Sequence, residues 1–288
     1  MNINGKTQLI GLIGWPLSQS KSPAMHNAAT AALGIDWAYV PFPVREEDVA
    51  AAVQGLRALG VRGVNVTVPH KQAVMPFLDE IHPAAQAIGA VNTIVFKRSA
   101  SSQHSTAIGY NTDWTGFLTD LASQQVAVAG RGCLVLGGGG SARAVAYALA
   151  SAGGRVHLLS RRIQQAQQVA QGIAPHFPEE HVSYHTLREL PQLAAQWPAP
   201  LIINATPLGM APEVHASPWP AELAFPPAAV VYDLVYNPAR TLFLQQAQAA
   251  GCQTINGLGM LLYQGAQALT LWTGQQPDLA LMRRALEE

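Results

Sequence analysis

Short apolar runs alternate with segments of helical periodicity along most of this chain, the pattern of an α/β protein. Residues 9–14 predict a first strand. Ser22 then offers an N-cap and Pro23 a first helical position, with a helix over 24–33 that stops at Gly34. A strand over 37–42, a helix over 46–59 ending at Gly60 and a strand over 63–68 follow. The pattern next predicts a helical stretch near 70–78 and paired strands over 90–96 and 107–110, joined by a polar, Ser-rich turn.

A second alternation starts at Gly132, with strands over 133–136, 156–159, 201–204, 230–234 and 253–256 and helices between them. A long apolar helix is predicted over 259–273 and a final one over 278–286. The first set of strands ends near Asp113, which places a domain boundary there. Pattern alone leaves open which domain takes the last two helices.

Composition narrows the function classes. The 288 residues are 49% apolar and only 12% charged, with Lys+Arg and Asp+Glu balanced at 17 each. A chain of that size buries a substantial core, and 288 residues are enough for two domains. Zero net charge provides no field for nucleic acid or an anionic membrane surface, so a small-molecule substrate is expected. Cys133 and Cys252 stand far apart without partners at metal-ligand spacing, and read as reduced core residues with no metal site. The N-terminal stretch lacks a signal-peptide pattern, and no apolar run approaches the ~18 residues of a membrane span. A soluble, cytoplasmic protein is expected.

The most specific local signal is Gly137-Gly-Gly-Gly-Ser-Ala-Arg-Ala144, which follows the strand 133–136 and opens an apolar helix. Gly137, Gly139 and Ala142 fill the three small positions of the dinucleotide fingerprint. Such a turn must be tight, let backbone approach a pyrophosphate, and pack a helix closely on its strand, while free N–H groups at the helix start receive the phosphate charge. Glycine clusters also occur in ordinary loops; here the flanking strand, helix and second strand favour a cofactor. After that second strand stands Ser160-Arg161-Arg162, with no acid before Glu179. Two arginines there suit the 2′-phosphate of NADP, or are a solvated helix start.

The chain has four lysines, Lys6, Lys21, Lys71 and Lys97. Lys71 follows a strand, where open α/β sheets place ligands. Taken alone, a loop lysine is more often a solvated charge. Asp113 and Ser22 are equally readable as caps, and Ser20 and Asn92 as turn residues.

Together, however, these positions form an ordered set. Trp15-Pro-Leu-Ser-Gln-Ser-Lys-Ser-Pro-Ala-Met-His-Asn27, Asn65-Val-Thr-Val-Pro-His-Lys71, Gly89-Ala-Val-Asn-Thr93 and Gly109-Tyr-Asn-Thr-Asp113 resemble successive signatures of the NADP-dependent shikimate dehydrogenase family. The resemblance continues through 137–144, Asn204-Ala-Thr-Pro-Leu-Gly-Met210, Tyr232-Asp-Leu-Val-Tyr236, Gly257-Leu-Gly-Met-Leu-Leu-Tyr-Gln264 and Trp272-Thr-Gly274. It spans nearly the whole chain in order.

That resemblance implies an N-terminal α/β substrate domain, residues 1–113 completed by helices in 258–288, and a Rossmann-type NADP-binding domain over 114–257. The implied reaction is reversible oxidation of shikimate to 3-dehydroshikimate, a step of aromatic amino-acid biosynthesis, by a monomer or homodimer. Lys71 and Asp113 would be the catalytic pair. Ser20 and Ser22 would hold the carboxylate, and Thr67, Asn92, Asp113 and Gln264 the ring hydroxyls, with Asn65 and Tyr236 beside them. Gly137, Gly139, Gly140, Ser141, Ala142, Ser160, Arg161 and Arg162 would hold the cofactor, with Asn204, Thr206, Met210 and Gly257 toward its nicotinamide end.

The residue types suit the chemistry. Oxidising a secondary alcohol sends a hydride to the nicotinamide and a proton to the protein. A partly buried lysine can take the proton while a carboxylate fixes its orientation. Three points depart from the usual family pattern or qualify it. NADP-using members commonly read Asn-Arg-Thr with a further basic residue, where this chain has Ser160, Arg161, Arg162 and Gln165. Gly265 replaces a common Ala. Some relatives prefer quinate, and these can carry Thr at the second serine position, where this chain has Ser22. The alternatives are a quinate/shikimate dehydrogenase of relaxed choice and a non-catalytic NADP-binding regulatory module, which would be marked by loss of Lys71 or Asp113.

Overall fold

The apolar runs become two six-stranded sheets in the computed structural model, which describes residues 3–98 and 105–288. One unit comprises Met1–Thr112 and Leu262–Glu288, the other Asp113–Leu261. The Ser-rich turn expected after the strand 90–96 falls largely outside the described residues.

The first unit contains β1 (Gln8–Gly14), α1 (Ser22–Ala32), β2 (Trp37–Pro43), α2 (Val49–Ala58), β3 (Gly63–Val66), β4 (Glu80–Ile81), α3 (Pro83–Ile88), β5 (Thr93–Lys97) and β6 (Thr106–Tyr110). Strand order is β2-β1-β3-β5-β6-β4. β1 runs parallel to β2 and β3, whereas β5 runs antiparallel to β3 and β6. Gly34 and Gly60 adopt φ of +67° and +75°, left-handed conformations that end the preceding helical segments. Ile13, Val53, Val64, Val66, Val91 and Ile94 join one buried cluster on the sheet.

Local chemistry corrects several sequence-level expectations here. Lys21, not Ser22, is the N-cap of α1, and Ser22 is already helical with Pro23 behind it. The helix expected over 46–59 begins as a 3-10 turn, Glu46–Asp48. The helix expected near 70–78 is reduced to turns and a 3-10 segment, Met75–Phe77. The Lys71 carbonyl accepts from the Val91 amide at 2.8 Å instead of feeding a helical ladder, and Pro76 has no N–H to extend one.

The second unit contains α4 (Asp113–Ser123), β7 (Gly132–Leu136), α5 (Gly140–Ser151), β8 (Arg155–Ser160), α6 (Ile163–Ile173), β9 (Val182–Thr186), α7 (Leu190–Gln196), β10 (Leu201–Asn204), β11 (Val230–Asp233), α8 (Leu242–Ala249) and β12 (Gln253–Asn256). All its strand pairs are parallel, in the order β12-β11-β10-β7-β8-β9. Counted from β7, that is the doubly wound order 3-2-1-4-5-6, whose direction reverses between β7 and β10. β7 shows why the strands read as unbroken apolar runs. Cys133 and Val135 enter one core cluster, Leu134 and Leu136 the other, so both faces are covered. Cys133 and Cys252 are buried and unpaired, and burial pushes the Cys133 thiol up to about 12.

α9 (Leu258–Thr273) carries the chain back, and with α10 (Leu279–Glu287) completes the first unit. Trp272 fixes this return: its indole N–H donates to the Ile94 carbonyl at 3.0 Å, and its ring occupies the space a side chain at Gly63 would need. Truncating a buried indole typically costs about 3–5 kcal/mol, so this anchor is substantial. The Asp278 carboxylate caps α10 by accepting from the Ala280 and Leu281 amides. No helix among the described residues is long and apolar enough to cross a membrane.

Candidate functional site

In the first unit, backbone bonding gathers the segments that carry the candidate residues. The Thr67 amide donates to the Ile13 carbonyl at 2.9 Å and the Trp15 amide to Val68 at 3.1 Å, tying the chain after β3 to the chain after β1. Gly14 makes this approach possible, since a Cβ there would lie 2.4 Å from the Thr67 methyl. Beyond Trp15 come the two serines. The Ser22 amide donates to Ser20 Oγ at 3.3 Å, and Lys21 between them donates to the Leu286 carbonyl near the end of α10. A cation at those last carbonyls is electrostatically favourable, and it ties the serine segment to α10.

The polar centre lies at the ends of β3 and β5. Asn92 Nδ2 donates to Thr112 Oγ1 at 3.0 Å and Gln264 Oε1 at 3.3 Å. Its Oδ1 accepts from the Thr112 amide at 2.7 Å and from Thr93 Oγ1 at 3.1 Å. Asn65 Oδ1 accepts from the Tyr39 hydroxyl at 2.9 Å, while its Nδ2 donates to the Asn92 carbonyl and Thr93 Oγ1. Asn65 is therefore joined to Asn92 through its carbonyl and through Thr93, and Asn92 directly to Gln264, in one buried network. Both amide protons of Asn65 are engaged inside it, which makes this residue a frame for its neighbours. Lys71 is buried, and its carbonyl bond to Val91 places it beside Asn92 in the chain pairing. The adjacent His70 donates from Nε2 to the Val44 carbonyl at 2.7 Å and is buried packing.

Thr93, Thr112 and Tyr39 take part in this network although sequence reasoning assigns them no role. Thr93 and Thr112 lie within the quoted motif segments; Tyr39, inside a predicted strand, carries no signal. Tyr39 stacks on His26 with ring centroids 4.3 Å apart and planes within 5°. His26 is fully buried, and burial lowers its pKa to about 3, so it is a neutral packing residue.

In the second unit, Asp113 is buried at the head of α4. The glycine-rich turn joins β7 to α5. Gly137 has φ +132°, and a Cβ on it would sit 2.8 Å from the Ala205 carbonyl oxygen, so only glycine fits. Gly139 is the N-cap of α5 with no side-chain cap, and a Cβ there would meet nothing within 4 Å. Gly140 and Ser141 form the first turn, and Ala142 is fully buried against the sheet. An open approach to uncapped helix N–H groups at the strand-order reversal fits a dinucleotide pyrophosphate.

At the end of β8, Ser160 Oγ accepts from the Arg162 amide and donates to Gln165 Oε1. Gln165 also packs over Gly138, where a Cβ would lie 2.7 Å from its own. Arg161 and Arg162 are exposed. At the end of β10, Asn204 Oδ1 accepts from the Thr206 amide at 2.9 Å and hydroxyl at 2.6 Å. Its Nδ2 donates to the Leu208 carbonyl and Asp233 Oδ1. The Asn204 amide thus shapes the 204–210 loop, on which Met210 is 47% exposed. Gly257 runs against the Leu234 backbone, its missing Cβ only 2.1 Å from that carbonyl oxygen, and Tyr236 is half-buried nearby in sequence. Among the described residues no cluster of His, Cys, Asp or Glu is arranged to hold a metal.

A doubly wound unit with a dinucleotide turn, paired with a second α/β unit holding a polar amide-and-hydroxyl site, defines the class of two-domain Rossmann-type dinucleotide enzymes. The shikimate dehydrogenase (NADP(+)) of Moorella thermoacetica is 46% identical over 289 residues, covering 100% of this chain and 95% of that relative. The chain belongs to the shikimate dehydrogenase family. Residues 12–94 match the family's substrate binding domain and residues 257–287 its C-terminal domain. A crystal structure of a shikimate dehydrogenase in complex with NADP+ aligns with a TM-score of 0.90 at 40% identity, over 99% of this chain and 96% of the other. The shikimate 5-dehydrogenase of Thermus thermophilus, in complex with NADP(H) and shikimate, aligns with a TM-score of 0.84 at 37% identity, over 97% and 98%.

Proposed function

We propose that this protein catalyses the reversible, NADP-dependent oxidation of shikimate to 3-dehydroshikimate, acting in the cytoplasm as a monomer or homodimer. The observation that carries the reading is the coexistence, in one chain 46% identical to an NADP-dependent shikimate dehydrogenase, of the Asn65–Asn92–Gln264 network and an uncapped dinucleotide turn. Ser20 and Ser22 receive the substrate carboxylate through neutral hydrogen bonds at the head of α1, where the helix dipole favours an anion. Thr67, Asn92, Asp113 and Gln264 orient the ring hydroxyls, with Tyr236 beside them, while Asn65 holds the Asn92 carbonyl and the Thr93 hydroxyl in place.

NADP, when bound, supplies the hydride acceptor for oxidation and the donor for reduction. Lys71 takes the hydroxyl proton as the carbonyl forms and returns it in the reverse direction, with Asp113 as the other member of the catalytic pair. Gly137, Gly139, Gly140, Ser141 and Ala142 receive the pyrophosphate. Ser160, Arg161 and Arg162 surround the adenosine 2′-phosphate, with a guanidinium suited to paired hydrogen bonds. Asn204, Thr206, Met210 and Gly257 shape the nicotinamide end.

The test is direct: purified protein is incubated with shikimate and NADP+, and products are identified by mass. 3-Dehydroshikimate and NADPH in equal amounts are expected. Absence of either product from protein shown to be folded overturns the proposal.

A further inference from the structure

The 204–210 loop is held by a residue with no assigned part in the site. Asp233 ends β11 directly beside Asn204, the last residue of β10, and the two are partners in the strand register. Its carboxylate is fully buried. Oδ1 accepts from Asn204 Nδ2 at 2.8 Å and from the Val235 amide at 3.0 Å, and Oδ2 accepts from Thr241 Oγ1 at 2.6 Å. The Thr241 hydroxyl in turn accepts from the Leu244 amide at the start of α8.

We propose that Asp233 is a positioning residue for the nicotinamide end of the cofactor, clamping the 204–210 loop and the chain from 235 to 241 into one arrangement. The inference rests on the reading of the second unit as the NADP-binding one. The logic is directional. Three donors converge on Asp233: the Asn204 and Val235 N–H groups can only donate, and the Thr241 hydroxyl already accepts from the Leu244 amide and gives its proton to Oδ2, so an acceptor-only side chain meets all three. With one lone-pair site of Asp233 fixed on Nδ2, the Asn204 amide cannot flip. Its Oδ1 is thereby committed to Thr206 and its remaining N–H to the Leu208 carbonyl. Gly209, at φ +88° with its missing Cβ 3.3 Å from Thr241 Cβ, closes the loop over the same threonine.

The ionisation of Asp233 supports a role beyond packing. Burial raises its pKa to about 6, partly offset by the donors from Thr241, Val235 and Asn204. A carboxyl raised above its ordinary 3.8 favours folding most when protonated, and that contribution is lost as the pH rises toward 6. At neutral pH the charged, acceptor-only form therefore costs some stability while meeting all three donors.

The decisive experiment measures binding of NADP+ and of adenosine 2′,5′-bisphosphate, which lacks the nicotinamide half, to wild type and D233N by calorimetry. The amide would turn an N–H toward one of the donors. NADP+ is expected to bind at least about tenfold more weakly, as for loss of one charge-assisted hydrogen bond, with the bisphosphate within about twofold. Amide hydrogen exchange of residues 204–210 in the unliganded variant should accelerate. Equal weakening of both ligands, or no change in either, overturns the clamp. T241V keeps the carboxylate and removes one donor; a smaller loss confined to NADP+ is expected, and wild-type binding contradicts the proposal. Shikimate turnover measured alongside separates the two claims: a wild type that binds NADP+ but leaves shikimate unoxidised refutes the enzymatic reading and leaves the clamp to the binding data.

Discussion

Tyr39→Phe removes a single hydroxyl from the buried network that frames the proposed substrate site. The ring keeps its stack on His26 and its tilted contact with Trp272, 6.3 Å between centroids, and the backbone keeps both bonds to Asn27. What is lost is the 2.9 Å bond to Asn65 Oδ1, in a place where Tyr39 is 2% and Asn65 5% exposed. A neutral buried hydrogen bond is worth about 1 kcal/mol, and leaving its acceptor unsatisfied costs about 1–3 kcal/mol. Asn65 retains its two donated bonds and cannot relax toward water, so a loss of about 1–2 kcal/mol is expected from those limits. Urea unfolding followed by tryptophan fluorescence reads this as a lowered midpoint at unchanged slope. The loosened Asn65 should also raise KM for shikimate by about two- to fivefold, a fraction of that energy, with NADP+ affinity unchanged. A variant as stable as wild type, or one whose defect falls on NADP+ instead of shikimate, refutes this reasoning.

Lys71→Ala should lower turnover at least ~100-fold with cofactor affinity intact, the low end for a positioned acid/base; near-normal turnover in stopped-flow assays removes Lys71 from the mechanism. Ser20→Ala and Ser22→Ala should each weaken shikimate binding by about 0.5–1.5 kcal/mol, as neutral hydrogen bonds do, and unaltered affinity in titration calorimetry excludes the carboxylate role. Arg161→Ala should lower the ratio of kcat/KM for NADP+ over NAD+, and an unchanged ratio excludes the phosphate contact. Burial lowers the imidazole pKa of His157 to about 4 and of His26 to about 3. Both therefore add stability that is full above the ordinary 6.5 and is lost as the pH falls through those values. His26→Phe should flatten the acid decline of the urea midpoint; an identical decline would show that His26 is protonated in the fold.

The sheet of the second unit was legible in the sequence because its central strands β7, β10 and β11 are buried throughout and read as mostly apolar runs. Its polar edge strand, Val182–Thr186, and the two-residue β4 carry no such signal and escape prediction. The start of α1 departs from expectation because Ser, Thr and Asp head helices by propensity, while here the Lys21 backbone turns first. The candidate residues were legible as motif members. Their division of labour was not, because it depends on who donates to whom. Asn65 inside a predicted strand and Asn204 at the end of one both read in sequence as polar strand residues, yet each is revealed as a frame only once its amide protons are traced. Asp233 shows in sequence as an acid inside a predicted apolar strand and a motif segment with no role assigned to it, a signal that burial and three converging donors turn into a role.

Cofactor and substrate choice together test the central claim most directly. The measurement is kcat/KM for shikimate and for quinate, each with NADP+ and with NAD+, on the wild-type protein. Serines at both proposed carboxylate positions and an acid-free, arginine-bearing end of β8 predict that shikimate with NADP+ exceeds the other three combinations. Equal or better use of quinate, or of NAD+, would contradict the account.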